Sequence, residues 1–276
     1  MKDRIMKAIR NIVIVLLVIA LGIYVASWFV EQSREDPTRP TITSDVEVLE
    51  LPCAYSQEQM LSGLTAYDER DGDLTSEILV GEISRFQQKG TCEVTYVVFD
   101  SSNQPATLTR QVVFTDYRSP QFTLTQPLVF VQGRGSSASS YVGATDMLDG
   151  DISSSVRMTD SNISYSVAGD YEMDVEVTNS FGDLVEATLP VHIVEQYQQG
   201  LTIELTQNVV YLSVGETFQP YSYVSSVTTS NGSQVDTDNV TAVSGVDTST
   251  PGCYEVQYNV SSGGSQGITW LVVIVE

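Results

Sequence analysis

The sequence predicts an all-β protein built of three tandem sandwich domains behind a single N-terminal transmembrane helix. Three observations carry that prediction. A charge-free apolar run lies near the N-terminus, a strand pattern recurs three times, and a hydrophobic fraction of 42% with 14 Tyr is too rich for a disordered chain.

The apolar run covers residues 11–30. Lys2, Arg4, Lys7 and Arg10 precede it, and Glu31, Glu35 and Asp36 follow. At about 1.5 Å per residue such a run spans the roughly 30 Å hydrocarbon core of a bilayer. The basic flank then keeps residues 1–10 in the cytoplasm and puts everything after residue 30 outside. A cleaved signal peptide is the competing reading, because Val25-Ala26-Ser27 offers small side chains. Against it, the run exceeds the usual signal core of about 7–15 residues, and Trp28 and Phe29 form an interfacial anchor. Residues 31–40, with Pro37 and Pro40 among charges, read as an extended stalk.

The repeat shows in three glycines, Gly90, Gly169 and Gly252, each opening a strand. Their spacing of about 80 residues is that of one small domain. In the second copy Tyr171, Met173, Val175 and Val177 alternate with Glu172, Asp174 and Glu176. A period of two with one polar face is a half-buried antiparallel strand. Turn residues follow each such strand, at 101–104, 180–183 and 262–265, and a further strand closes the domain as a hairpin. The domains run over residues 41–116, 117–196 and 197–276, the last one divergent. An upstream loop is shared by the first two copies: Asp68, Asp71, Gly72 and Asp73 match Asp146, Asp149, Gly150 and Asp151, whereas the third copy keeps only Asn231-Gly232 there.

These residues resemble a known family. An Ala-x-Asp-x-x-Asp-Gly-Asp-Leu/Ile-Thr/Ser loop, then a Gly-x-Tyr-x-Val type strand, a Ser/Asn/Gly turn and a final strand are similar to the bacterial Ig-like domain of pesticidal-crystal-protein type. The first copy departs at Cys92, which stands at a usual Tyr position. The resemblance implies three Ig-like sandwiches at the bacterial cell surface, and it implies little chemistry, since such modules serve as spacers, adhesive units or accessories.

Composition narrows the partners. The chain has 13 Lys+Arg against 35 Asp+Glu and a formal net charge of −22. With four of the basic residues ahead of the helix, the exterior repels nucleic acid and anionic headgroups. The expected partners are the membrane, through the helix, and a protein or glycan ligand at the surface.

The candidate sites are few. Asp68, Asp71, Asp73, Asp146, Asp149 and Asp151 crowd carboxylates onto two tight loops, and a calcium ion would relieve their repulsion. The alternative is a plain turn in which Gly72 or Gly150 supplies a positive φ and the Asp side chains cap backbone amides. Cys53 and Cys92 are candidates for a disulfide in an oxidising exterior, or else for two buried thiols. Cys253 is then left over. His192, the single histidine, alternates with inward Leu189, Val191 and Ile193, which turns it toward solvent. One histidine, no Gly-rich phosphate loop and no paired-cysteine spacing leave no catalytic constellation in view.

Two functions fit. The chain is expected to be a non-enzymatic, membrane-tethered surface protein that binds, adheres or spaces, with the divergent third copy as a specialised tip. The alternative is an accessory or regulatory component of an envelope polysaccharide or cell-wall assembly complex.

Overall fold

The computed structural model describes residues 2–32, 37–134 and 137–276. It forms two compact units, one of Met1–Leu51, Tyr55–Ser84 and Cys92–Val113, the other of Pro52–Ala54, Arg85–Thr91 and Phe114–Glu276.

The chain opens with a helix over Lys2–Gln32. The basic segment expected as a separate tail is therefore helical, because no glycine or proline interrupts it before residue 22. Apolar side chains along this helix are exposed, from Val25 at 43% to Tyr24 at 68%. Among the described residues no helix is long and apolar enough to cross a membrane. The expected membrane crossing is therefore not shown. The side chains of Lys2, Arg4, Lys7, Arg10 and Glu31 lie outside the described residues, as do residues 33–36 of the expected stalk.

Beyond the helix the chain is all-β, with short helical turns. Six sheets occur as three pairs, each a three-stranded sheet and a four-stranded one. In the first unit Thr41–Ser44, Leu64–Asp68 and Gly72–Asp73 make the smaller sheet. The larger one orders Val48–Leu51, Pro105–Phe114, Thr91–Phe99 and Leu79–Ile83. Alternate residues Cys92, Val94, Tyr96 and Val98 are buried, as a strand with one face on a core requires. Arg110 is buried among them. Its guanidinium donates to the carbonyls of Met60 and Ser62, each at 2.8 Å, and lies 4.9 Å from the Tyr96 ring centre, so the charge is accommodated without a carboxylate.

The second unit holds the other two sheet pairs. Gly169–Thr178 and Leu184–Val194 pair antiparallel along their whole length, from Gly169 opposite Ile193 to Thr178 opposite Leu184. Gly252–Ser262 and Ser265–Val275 do the same. These are the expected closing hairpins. The edge strands differ from the expected antiparallel pattern: Val129–Val131 runs parallel to Leu184–Val194, and Val209–Leu212 runs parallel to Ser265–Val275. Side-chain alternation reports which face is buried and is blind to the direction of the neighbouring strand.

The two sandwiches of this unit share buried surface. Val272, from the last strand, belongs to the core built by Phe122, Met173, Val175 and Leu189, with Val209 and Ile274 packed against it. Asn208 donates to the Leu124 carbonyl at 3.1 Å, and the Tyr211 hydroxyl accepts the Phe122 N–H at 2.5 Å.

Candidate functional site

The two Asp loops are built alike. Asp68 closes one strand, and its Oδ1 accepts from the N–H groups of Arg70 and Asp71 at 2.8 and 3.0 Å. Asp146 Oδ1 accepts from Leu148 and Asp149, each at 2.9 Å. Gly72 and Gly150 have φ of 79° and 72°, which only glycine adopts without strain. Asp71 reaches across to the hairpin turn, accepting the Ser101 N–H at 2.7 Å and its hydroxyl at 2.8 Å. Asp149 does the same for Ser180 at 2.6 and 2.8 Å. The Thr75 N–H donates to Asp73 at 2.9 Å, and the Ser153 N–H to Asp151 at 2.9 Å.

These side chains point at different donors. Hydrogen bonds from Thr75 and from Ser153 hold the carboxyls of Asp73 and Asp151 below the usual carboxylate range. Among the described residues no three His, Cys, Asp or Glu side chains gather where a metal ion would sit. Asp71, Asp73, Asp149 and Asp151 are each engaged as turn caps.

Cys53 and Cys92 are free, buried thiols. The Cys53 N–H donates to Asp116 Oδ1 at 2.7 Å. Burial, then the hydrogen-bonded Asp116 carboxylate, pushes the Cys53 thiol up to about 12, and burial pushes Cys92 to about 11. Both are inert thiols at neutral pH.

His192 is the residue that sequence reasoning misplaced. It does point out of its own sandwich, since Leu189, Val191 and Ile193 are buried beneath it, yet it is only 3% exposed. The third copy covers it. Its ring stacks on Trp270 at 3.8 Å with an interplanar angle of 8°. Nδ1 lies 2.8 Å from Asp170 Oδ1, and Nε2 lies 2.8 Å from Glu255 Oε2. The imidazole is thus clasped between a carboxylate of copy two and one of copy three and stacked on an indole.

Beside this clasp opens a cleft of about 630 Å³, lined by Glu172, Glu186, Thr188, Cys253, Tyr254 and Glu255 among others. Cys253 is an exposed free thiol at this cleft. Three carboxylates and a tyrosine give the cleft the chemistry to accept hydrogen bonds from hydroxyl or ammonium groups.

No family model matches the chain. It is 29% identical over 233 residues to the pesticidal crystal protein Cry22Aa of Bacillus thuringiensis, covering 81% of this chain and 31% of that protein. It is 37% identical over 90 residues to an uncharacterized 81.3 kDa protein of Acholeplasma phage L2, covering 32% of this chain and 12% of that one. The chain thus spans less than a third of the length of these curated relatives. Among solved structures, CBM51-2 with INT domains from Clostridium perfringens ZmpB aligns at 16% identity and a TM-score of 0.24, covering 54% of this chain and 26% of that one. The lipoprotein BT2262 from Bacteroides thetaiotaomicron aligns at 12% identity and a TM-score of 0.21, covering 84% and 98%. At these scores no property of those structures carries over.

Proposed function

We propose that the chain is a non-catalytic, membrane-tethered array of Ig-like sandwiches that binds a glycan or protein at the outer face of the cell. The observation that supports it is the junction of copies two and three. A shared core and the His192 clasp hold two sandwiches together, and an acidic cleft is built from both, with Glu172, Glu186 and Thr188 on one side and Cys253, Tyr254 and Glu255 on the other. A cleft set on rigid strands presents fixed acceptors to a ligand, which lowers the entropy cost of binding. The exposed apolar side chains of the N-terminal helix supply a surface that water does not satisfy and a bilayer does.

The test has two arms. Membranes from expressing cells are washed in alkaline carbonate; the chain stays in the pellet, and a variant with polar residues replacing 13–29 is released. The detergent-solubilised chain is then passed over immobilised envelope polysaccharides and envelope proteins. Capture that is lost in Glu186→Gln/Glu255→Gln supports the reading. Release of the wild type by carbonate, or capture indifferent to both glutamates, contradicts it.

A further inference from the structure

The first Asp loop contains a pair of acceptors that the second does not. In the second unit Asp146 faces Asn179, the residue that follows the strand Gly169–Thr178. The Asn179 amide Nδ2 donates to Asp146 Oδ2 at 3.1 Å and to the Tyr117 hydroxyl at 2.8 Å. Its Oδ1 accepts the Asp183 N–H at 2.9 Å, while its own N–H donates to the Asp183 carbonyl at 3.2 Å. Each buried atom has a complement.

In the first unit Asp68 takes the place of Asp146, and Asp100 takes the place of Asn179. The backbone pattern is unchanged: Asp100 Oδ1 accepts the Gln104 N–H at 2.7 Å, and the Asp100 N–H donates to the Gln104 carbonyl at 3.1 Å. Asp68 Oδ1 is likewise satisfied by the loop amides and by the Thr38 hydroxyl at 3.4 Å. The outer oxygens are another matter. Asp68 is 1% exposed and Asp100 7% exposed, and Oδ2 of each is buried without a hydrogen-bond partner. Where the second unit has an amide donor meeting a carboxylate, the first has two acceptors.

Asp68 Oδ2 and Asp100 Oδ2 stand where Asp146 Oδ2 and the Asn179 amide meet in the second copy; two acceptors cannot satisfy each other, and an unpaired buried carboxylate is costly. What complements them is positive charge with no hydrogen-bond demand of its own. We propose that Asp68 Oδ2 and Asp100 Oδ2 hold a hard divalent cation of the calcium class, with further oxygen ligands from water. The second copy holds none at the same place, because the Asn179 amide occupies it. The site uses one carboxylate of the exposed loop and one from the hairpin turn. It leaves Asp71 and Asp73 to their capping bonds.

The test is calorimetric titration of CaCl₂ into the detergent-solubilised full chain after exhaustive chelation. Three proteins are compared: wild type, Asp100→Asn and Asp151→Asn. Asp100→Asn copies the arrangement the second unit already folds with, so it is expected to fold. The expected result is binding by the wild type, the same binding by Asp151→Asn, and loss of that binding in Asp100→Asn. Asp100→Asn should also unfold at a higher temperature than the wild type in chelator and gain less from added calcium. No calcium binding by the wild type, or binding that survives Asp100→Asn, overturns the proposal.

Discussion

The first and second Asp loops share their turn bonds and part at one buried position. In each, an Asp caps two backbone amides, a glycine takes a positive φ, and a second Asp ties the loop to a serine of the hairpin turn. At the next position inward the loops differ by an amide in place of a carboxylate, Asn179 against Asp100. The difference teaches that the acidic residues most visible in such a loop are the ones already satisfied by it. The informative carboxylate is the one buried behind.

The sharpest way to break this comparison is to convert the second loop into the first. Asn179→Asp removes the nearer of two donors to Asp146 Oδ2, leaving the Tyr117 hydroxyl at 3.4 Å, and sets a carboxylate against it. A buried unpaired charge should cost about 3 kcal/mol, read by denaturant unfolding in chelator, and calcium should recover part of the loss. An equal loss with and without calcium would show that the pocket alone does not recruit a cation.

A smaller effect is expected at the His192 clasp. His192→Ala removes the donor between Asp170 and Glu255 and the ring that stacks on Trp270. Since Asp170 is largely exposed, water screens part of the loss, and about 2 kcal/mol is expected. The second and third copies should then unfold in separate calorimetric steps. A single unchanged transition would contradict the clasp.

The shared features should respond equally. Gly72→Ala and Gly150→Ala each place a side chain at φ near +75°, where neither meets a neighbouring atom within 4 Å. The cost is conformational, about 1 kcal/mol in either loop. Unequal losses would mean the loops differ in more than the buried pair.

The smallest effect concerns pH. Asp73 and Asp151 are held below the ordinary value of 3.8 by hydrogen bonds from Thr75 and Ser153. A depressed carboxyl contributes stability that is present above 3.8 and is lost as pH falls through the lower folded value. Asp73→Ala and Asp151→Ala should therefore lower stability at neutral pH, leave it nearly unchanged at pH values below the lower folded value, and so flatten the acid limb between the two. A loss that persists undiminished at acid pH, or no loss at neutral pH, would contradict the capping role.

Much of this fold was legible in the residues. The alternation at Met173, Val175 and Val177 named buried positions correctly, and the turns after each long strand marked the closing hairpins. His192 was misjudged because alternation reports which face of its own sheet a side chain takes, not what another sandwich lays over that face. The parallel edge strands were missed because strand direction leaves no mark in a hydrophobic pattern. The loop aspartates were visible by type and spacing, but their hydrogen bonds are set by backbone geometry that spacing alone does not specify. Asp100 carried a readable signal: it ends the first copy's repeat strand where the second copy has Asn179, an exchange of acceptor for donor at a matched position.

The most direct measurement is anomalous diffraction from crystals of the full chain grown with calcium, collected at long wavelength. The account predicts a peak between Asp68 Oδ2 and Asp100 Oδ2 and none between Asp146 and Asn179. No peak at the first pair, or peaks at both, would contradict it.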